Sequence, residues 1–465
     1  MQLTFHGAAR TVTGSCHLFT LDDGRQLLFD CGMYQGSEAD MRTFNEQWGF
    51  DPSAIDAVLL SHAHIDHAGR LPKLVKDGFT GDIYCTPATR DLCAILLTDS
   101  AYLQERDAYF ENKYSAVKDA KPLYTVRDVQ VCMERFVTVP FGRWYALLEE
   151  VEVLFRDNGH ILGSASVTIR YHRLSDEKVV IGFTGDIGRP NRPILKDPRH
   201  MPACDYLICE ATYGDRLHET AVDEKERLLS IVQQTCVVQK GKLMIPAFSV
   251  GRTQEIVYLL DQLEHEGRLP RIPVFVDSPL AINATEIFRM HPDCFGEDLV
   301  AYMHTDPDPF GFNHLHYIRD AEYSKQLNTM EGPAIIISAA GMMEGGRIRH
   351  HLHNHIEDPN STLLIVGFCA PGTLGEKLRN GARTIHLMGD ELTVKASIEI
   401  MDTFSAHGDL EEMIDFLSNQ DRNKLKRLFL VHGEYEVQLK FRERLLDTGV
   451  RKVEIPSLGQ QINLH

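Results

Sequence analysis

The chain runs to 465 residues, 43% of them hydrophobic and 25% charged, with a formal net charge of −18. That length is too great for one ordinary core and sets an expectation of two domains; the composition is that of a globular protein, and no apolar run is long enough to span a bilayer. The acidic balance counts against a broad basic face for holding nucleic acid, although bound cations and a few local Arg or Lys contacts can still dock a phosphate.

The first residues, Leu3-Thr4-Phe5-His6-Gly7, read as a strand. They lack the charged and apolar regions of a secretory signal, so a cytoplasmic location is expected. The ten cysteines are scattered without C-x-x-C pairs and are expected to be reduced and mostly buried. Strands at 16–20 and 26–30 flank Asp22-Asp23-Gly24, a hairpin signal. Further strands follow at 57–60 and 83–85. A long helix then runs from about residue 87 past 109, with Pro87 at its start and Ala and Leu at helical spacing. Strands at 151–155, 165–171 and 178–183 complete an expected two-sheet sandwich with outer helices. From about 206 the pattern changes. Apolar strands at 206–209, 242–245, 273–276, 334–337 and 362–366 alternate with helices, which argues for a parallel sheet covered on both faces. After about 390 a strand, a helix and a strand follow. The pattern predicts a first domain over 1–205, an inserted α/β domain over 206–389, and a return to the first domain over 390–465.

Ser61-His62-Ala63-His64-Ile65-Asp66-His67 directly follows the apolar strand at 57–60. Imidazoles and a carboxylate fanned out at the end of a buried strand are the ligand set that zinc uses when it keeps a position open for water. His62 and His64 alternate with Ala63 and can point the same way, leaving Asp66 and His67 to turn toward a second metal. Other strand ends carry matching residues: His160 in Asp157-Asn158-Gly159-His160, Asp186 in Thr184-Gly185-Asp186, and His432 in Leu430-Val431-His432-Gly433. Each has glycine beside it, which lets backbone approach a metal closely. For His432 to meet His62, the C-terminal segment has to rejoin the first domain.

These residues, with Asp30 in Phe29-Asp30-Cys31-Gly32, resemble the metallo-β-lactamase fold hydrolases. Three motifs narrow the resemblance to the β-CASP branch, which includes the mRNA 3′-end cleavage endonuclease and bacterial and archaeal ribonucleases. They are Cys209-Glu210-Ala211-Thr212-Tyr213-Gly214, Phe404-Ser405-Ala406-His407-Gly408-Asp409 and Val431-His432-Gly433-Glu434. Pro246-Ala247-Phe248-Ser249-Val250-Gly251-Arg252 and Gly341-Met342-Met343-Glu344-Gly345-Gly346 look like the same branch. The resemblance implies an α/β fold, an αββα sandwich with an inserted parallel-sheet β-CASP domain. It implies two zinc ions per chain, with manganese or iron as substitutes. His62, His64 and His160 would hold the first, Asp66, His67 and His432 the second, and Asp186 would bridge them. Asp30 is either a carboxylate that orients the cluster from behind or a plain structural one, and both readings stay open.

The resemblance further implies a zinc-dependent ribonuclease, in which a hydroxide activated between the metals attacks the phosphodiester and leaves a 5′-phosphate and a 3′-hydroxyl. His407 is the expected general acid, Glu210 holds its other nitrogen, and Asp66 counts with them at the catalytic centre. Phosphate docking is expected from Ser338 and Arg347, on the Gly-rich stretch that leads into a helix, and from Arg252 at the start of another. Plain turn chemistry remains the alternative there, and the His350, His351, His353 and His355 run is read as a solvated helix face. Two departures stand out: Pro371-Gly372-Thr373-Leu374 replaces the Glu-Gly-Thr-Leu of eukaryotic members, and the N-terminal KH domains of archaeal relatives are not seen. The rivals are a DNA nuclease of the same branch, disfavoured because DNA-specific members typically carry Val where this chain has His432; a small-molecule hydrolase, disfavoured by the insertion; and a metal-binding RNA-processing scaffold, disfavoured because every ligand position is filled. RNA is the expected partner, no membrane is expected, and a homodimer or an RNA-processing complex is left open.

Overall fold

The computed structural model describes every residue except 37, 115–118, 174–176, 219–222, 368, 371 and 402–404, along with the side chains of 38–40. Pro371 and Phe404 therefore lie outside the described residues. The chain divides into two compact units, Met1–Leu217 with Ala406–His465, and His218–Ser405.

The first unit is built on two sheets, each seven-stranded among the described residues. One runs in the order Gln461–Asn463, Gln2–Phe5, His17–Thr20, Gln26–Phe29, Ala57–Leu59, Asp82–Cys85 and Phe136–Thr138. The expected hairpin is there, with His17 opposite Phe29 and Thr20 opposite Gln26. The second sheet runs Val453–Glu454, Arg427–Val431, Tyr206–Glu210, Lys178–Phe183, Ala165–His172, Val151–Asp157 and Tyr145–Leu148. Side chains alternate along a strand, so each sheet gives one row to a shared core. Phe5, Phe19, Phe29, Phe155, Phe183 and Phe429 pack together there. The opposite face of the second sheet carries Leu207, Cys209, Leu428 and Leu430. They pack against Met413 and Phe416 of the helix Leu410–Leu417 and against Phe441 and Leu445 of the helix Tyr435–Asp447. The long helix expected after residue 87 spans Pro87–Tyr114. All ten cysteines are buried free thiols. No helix among the described residues is long and apolar enough to cross a membrane.

The second unit holds a parallel sheet, six-stranded among the described residues, in the order Leu315–Tyr317, Val274–Val276, Ala334–Ser338, Lys242–Pro246, Thr362–Ile365 and Ser397–Ile400. Its central strands are buried throughout, which is why they read as unbroken apolar runs.

Two strands sit on the other side of the division from where the sequence pattern put them. Tyr206–Glu210 lies in the first unit, parallel to both Lys178–Phe183 and Arg427–Val431. Ser397–Ile400 closes the edge of the inserted sheet beside Thr362–Ile365. A short apolar strand carries no local mark of which sheet it joins, because pairing is decided by partners far away in sequence.

Candidate metal and catalytic centre

Each functional side chain stands where a strand of the first unit gives way to a loop. Asp30 ends Gln26–Phe29, the His62–His67 segment follows Ala57–Leu59, and His160 follows Val151–Asp157. Asp186 follows Lys178–Phe183, Glu210 closes Tyr206–Glu210, and His432 follows Arg427–Val431. Two glycines let the loops close on one another. A Cβ on Gly32 would lie 1.6 Å from the Asp66 carbonyl oxygen, and one on Gly188 would lie 2.4 Å from the His160 backbone nitrogen. Asp30 and His432 themselves adopt left-handed backbone, with φ of +57° and +50°. That conformation costs a non-glycine residue roughly 1–2 kcal/mol, so the surrounding hydrogen bonds hold both in place.

The centre is organised about Asp186, whose side chain is almost fully buried. Its Oδ2 lies 3.6 Å from His62 Nε2 and 3.6 Å from His160 Nε2. Its Oδ1 lies 3.3 Å from His67 Nε2 and 3.5 Å from His432 Nδ1. His64 Nδ1 completes the first cluster, 3.1 Å from His62 Nε2 and 3.3 Å from His160 Nε2. Asp66 completes the other, with Oδ2 3.4 Å from His432 Nε2, while His67 Nε2 and His432 Nε2 stand 3.1 Å apart. The sequence-expected ligands thus lie together among the described residues, in two groups that meet at Asp186, and Glu210 and His407 form a third set with the same carboxylate.

Asp30 lies behind this cluster and is fully buried. It accepts hydrogen bonds from the Ser15 hydroxyl, from the Ser61 backbone N–H and hydroxyl, and from His67 Nδ1 at 2.7 Å. Asp30 therefore meets His67 from behind: Nδ1–H donates to the carboxylate, and Nε2 faces the cluster.

The electrostatics fit a divalent cation. Burial, then the neighbouring imidazoles, push His62 and His160 well below the usual histidine range, and burial brings His64 down to about 4. These rings are neutral at pH 7, the form that ligates metal. Burial opposes charge on Asp186, but His432, His67 and His62 outweigh it and hold the carboxyl well below its ordinary value. Burial likewise opposes charge on His67, and Asp186, Asp30 and Asp66 outweigh it, so its pKa is raised well above normal. That surplus of carboxylate charge is what a divalent cation neutralises. Asp186 Oδ1 is buried and meets no donor with hydrogen-bond geometry, as expected of an oxygen left for a metal.

His407 borders the same carboxylate, with its Nε2 4.0 Å from Asp186 Oδ2 and its ring 4.5 Å from that of His160. Its Nδ1 lies 3.4 Å from Glu210. Glu210 is buried and is fixed by the backbone N–H groups of Ile187 and Thr212. Burial opposes a charge on His407, but Glu210, Asp186 and Asp66 prevail and raise its pKa to about 9. The residue precedes the helix Leu410–Leu417, which Asp409 caps, and pairs with Gly188 in an isolated β-bridge.

The residues expected to dock phosphate lie in the second unit, where they have partners of their own. Ser338 is buried and donates to the Asp277 carbonyl oxygen. Arg347 Nη1 pairs with Asp277 Oδ1 at 2.7 Å, and the guanidinium also donates to the Ile318 and Arg319 carbonyls. Arg252 is buried and pairs with Glu255. Each of the three thus has an intramolecular partner in the second unit. The His350–His355 segment differs from the solvated face expected of it. His351 and His355 are buried, and His351 bonds Asp277 through Nε2 and Asn328 through Nδ1. Helical periodicity turns part of this run inward.

Sequence reasoning missed Ser61 and Thr212 as functional residues, although each hydroxyl touches an imidazole of the centre. The only signal was adjacency: Ser61 precedes His62, and Thr212 lies two residues beyond Glu210.

Three family descriptions match successive stretches of the chain. They are the metallo-beta-lactamase superfamily over residues 9–229, a Beta-Casp domain over 253–378, and a Zn-dependent metallo-hydrolase RNA specificity domain over 391–456. Ribonuclease TTHA0252 of Thermus thermophilus is 34% identical over 462 residues, spanning 99% of this chain and 100% of that protein. An RNase J-like protein of Methanocaldococcus jannaschii is 30% identical over 443 residues, 94% of each chain. Transcription termination factor FttA of Methanosarcina mazei is 29% identical over 445 residues, 93% of this chain and 67% of that one. A crystal structure of a protein of unknown function from Enterococcus faecalis shares the fold at a TM-score of 0.53 and 13% identity, covering 100% of this chain and 99% of that one.

Proposed function

The chain is a metal-dependent hydrolase of the β-CASP branch of the metallo-β-lactamase superfamily, and from that premise we propose that it cleaves RNA phosphodiester bonds with two zinc ions, leaving 5′-phosphate and 3′-hydroxyl ends. Relatives named as ribonucleases along the full length of the chain support the substrate class. One observation carries the two-metal reading: each oxygen of the Asp186 carboxylate faces two imidazoles. His62, His64 and His160 with Asp186 would hold one ion, and Asp66, His67 and His432 with Asp186 the other. When bound, the ions supply Lewis-acid polarisation of the phosphate and a water acidic enough to attack near neutral pH.

The protein's own groups do the remainder. Glu210 accepts from His407 Nδ1 and stabilises the imidazolium, which leaves Nε2–H to protonate the departing 3′ oxygen. Asp30 keeps the His67 proton on Nδ1. Nothing in this scheme calls on Ser338, Arg347 or Arg252.

The test is purified protein with added zinc, incubated with end-labelled RNA, single-stranded DNA and a generic ester, with and without chelator. RNA cleavage abolished by chelation, with 5′-phosphate ends, is the expected result. Preferential cleavage of DNA or the ester would replace the substrate class, and metal binding without turnover on any of the three would make the protein a scaffold.

A further inference from the structure

The hydroxyls of Ser61 and Thr212 each make two contacts that fix what the other must be. Thr212 Oγ1 lies 3.1 Å from the His432 carbonyl oxygen and 3.1 Å from His432 Nδ1. A hydroxyl has one proton to donate, and a carbonyl oxygen can only accept. The O–H therefore goes to the carbonyl, and the hydroxyl oxygen accepts from Nδ1–H. In the opposite arrangement two oxygens would face each other at 3.1 Å with no proton between them. His432 Nδ1 also has Asp186 Oδ1 at 3.5 Å, a longer contact than the one to Thr212.

Ser61 follows the same logic at the other cluster. Its Oγ lies 3.0 Å from Asp30 Oδ2, an acceptor, and 3.0 Å from His62 Nδ1. Ser61 donates to Asp30 and accepts from His62 Nδ1–H. In both places the proton sits on Nδ1, and the Nε2 lone pair turns toward Asp186, His64, His67 or Asp66.

We infer that Ser61 and Thr212 are positioning residues that set the tautomer and aim of one imidazole in each cluster, Ser61 for His62 and Thr212 for His432. The inference rests on the two-ion reading above. Thr212 has a further part, because it ties the His432 ring to the carbonyl of the same residue. That carbonyl also accepts from the Ala211 N–H, and the His432 N–H donates to the Ala8 carbonyl. Ring and left-handed backbone are thus clamped together. The same strand end supplies Glu210 to His407 and Thr212 to His432, so the acid and one ligand share a single support.

The experiment measures zinc stoichiometry and affinity by chelator competition on the full chain, with ring tautomers read from long-range 1H–15N spectra of 15N-histidine protein loaded with zinc. His432→Ala comes first: a fall from two ions to one supports the reading beneath the inference, and no change in stoichiometry overturns that reading. In Thr212→Val the ion of the His432 group is expected to lose about 10–100-fold in affinity, the other to stay put, and the Nδ1–H signature of His432 to go. Thr212→Ser is expected to restore all three. Ser61→Ala is expected to weaken the other ion instead. If His432→Ala removes an ion while Thr212→Val keeps both affinities and the tautomer, the positioning role is wrong and the metal assignment stands. Circular dichroism melts on each variant separate a change of affinity from a failure to fold.

Discussion

Two histidine-dense segments, 62–67 in the first unit and 350–355 in the second, carry the same residue type to different ends. In the first, imidazole nitrogens converge on a carboxylate and on one another: His67 Nε2 and His432 Nε2 are 3.1 Å apart, and both rings face Asp186 Oδ1. In the second, His351 has both nitrogens engaged, by Asp277 and Asn328, and Asp277 also holds Arg347 and the Ser324 hydroxyl. A cluster with unspent lone pairs and excess negative charge attracts a cation. One whose charges and hydrogen bonds close among themselves braces a fold. Histidine density does not separate the cases, but backbone setting does: the first group comes from loops at several strand ends, the second from one helix turned toward the end of a sheet.

The largest effects should fall on the first cluster. Asp186→Ala removes the carboxylate that both groups share, so the protein should lose bound metal and its turnover should fall by roughly 10³-fold or more. Metal analysis beside a single-turnover RNA assay measures both, and retained metal would break the contrast between the two segments. His407→Ala sharpens it from within. This ring borders the cluster without closing either ligand group, so zinc should stay near normal while kcat falls by about 10²–10⁴-fold. Loss of both together would make His407 a ligand or a structural residue.

Asp277→Ala is the counterpart in the second unit. The buried carboxylate holds His351, Arg347 and Ser324, and despite its burial these partners keep its pKa below the ordinary value. Removing one member of such a group leaves buried charge uncompensated, at a cost of about 3–5 kcal/mol. Denaturant unfolding should show that loss, with zinc content per folded chain unchanged.

The strand-end ligands were legible because a short apolar run followed by His or Asp and Gly is a local pattern, as at 57–67 and 179–188. The sandwich and the parallel sheet could be read for the same reason. What could not be read depends on contacts distant in sequence. Tyr206–Glu210 and Ser397–Ile400 were assigned to the wrong sides of the division because an apolar strand does not name its neighbour. Nothing local marked the partner of Arg347, because Asp277 lies 70 residues away. Thr212 and His432 are separated by 220 residues, so nothing local marked that hydroxyl as a support.

The smallest effect concerns a third buried carboxylate, and it tests whether partners or burial decide the charge of such a group. Asp261, in the helix Arg252–His265, accepts from the Tyr302 hydroxyl at 2.7 Å, and its other oxygen is buried without a hydrogen bond. No cation faces it. Burial, reinforced by Asp306, Asp308 and Glu264 against the help of Tyr302, raises its pKa from 3.8 to about 7. Asp186 and Asp277 are just as buried and move the other way because imidazole or guanidinium stands beside them. Between about pH 4 and 7 the folded chain keeps a proton on Asp261 that the unfolded chain has released. Its contribution to stability therefore declines as pH rises through that window, and the whole cost is present above it. Asp261→Asn copies the protonated form, still accepts from Tyr302, and should be neutral near pH 4. At pH 8 it should raise the unfolding temperature by about 2–4 °C. A variant that melts with the wild type at both pH values would mean that Asp261 ionises without cost, and that burial alone does not set the charge of a carboxylate in this unit.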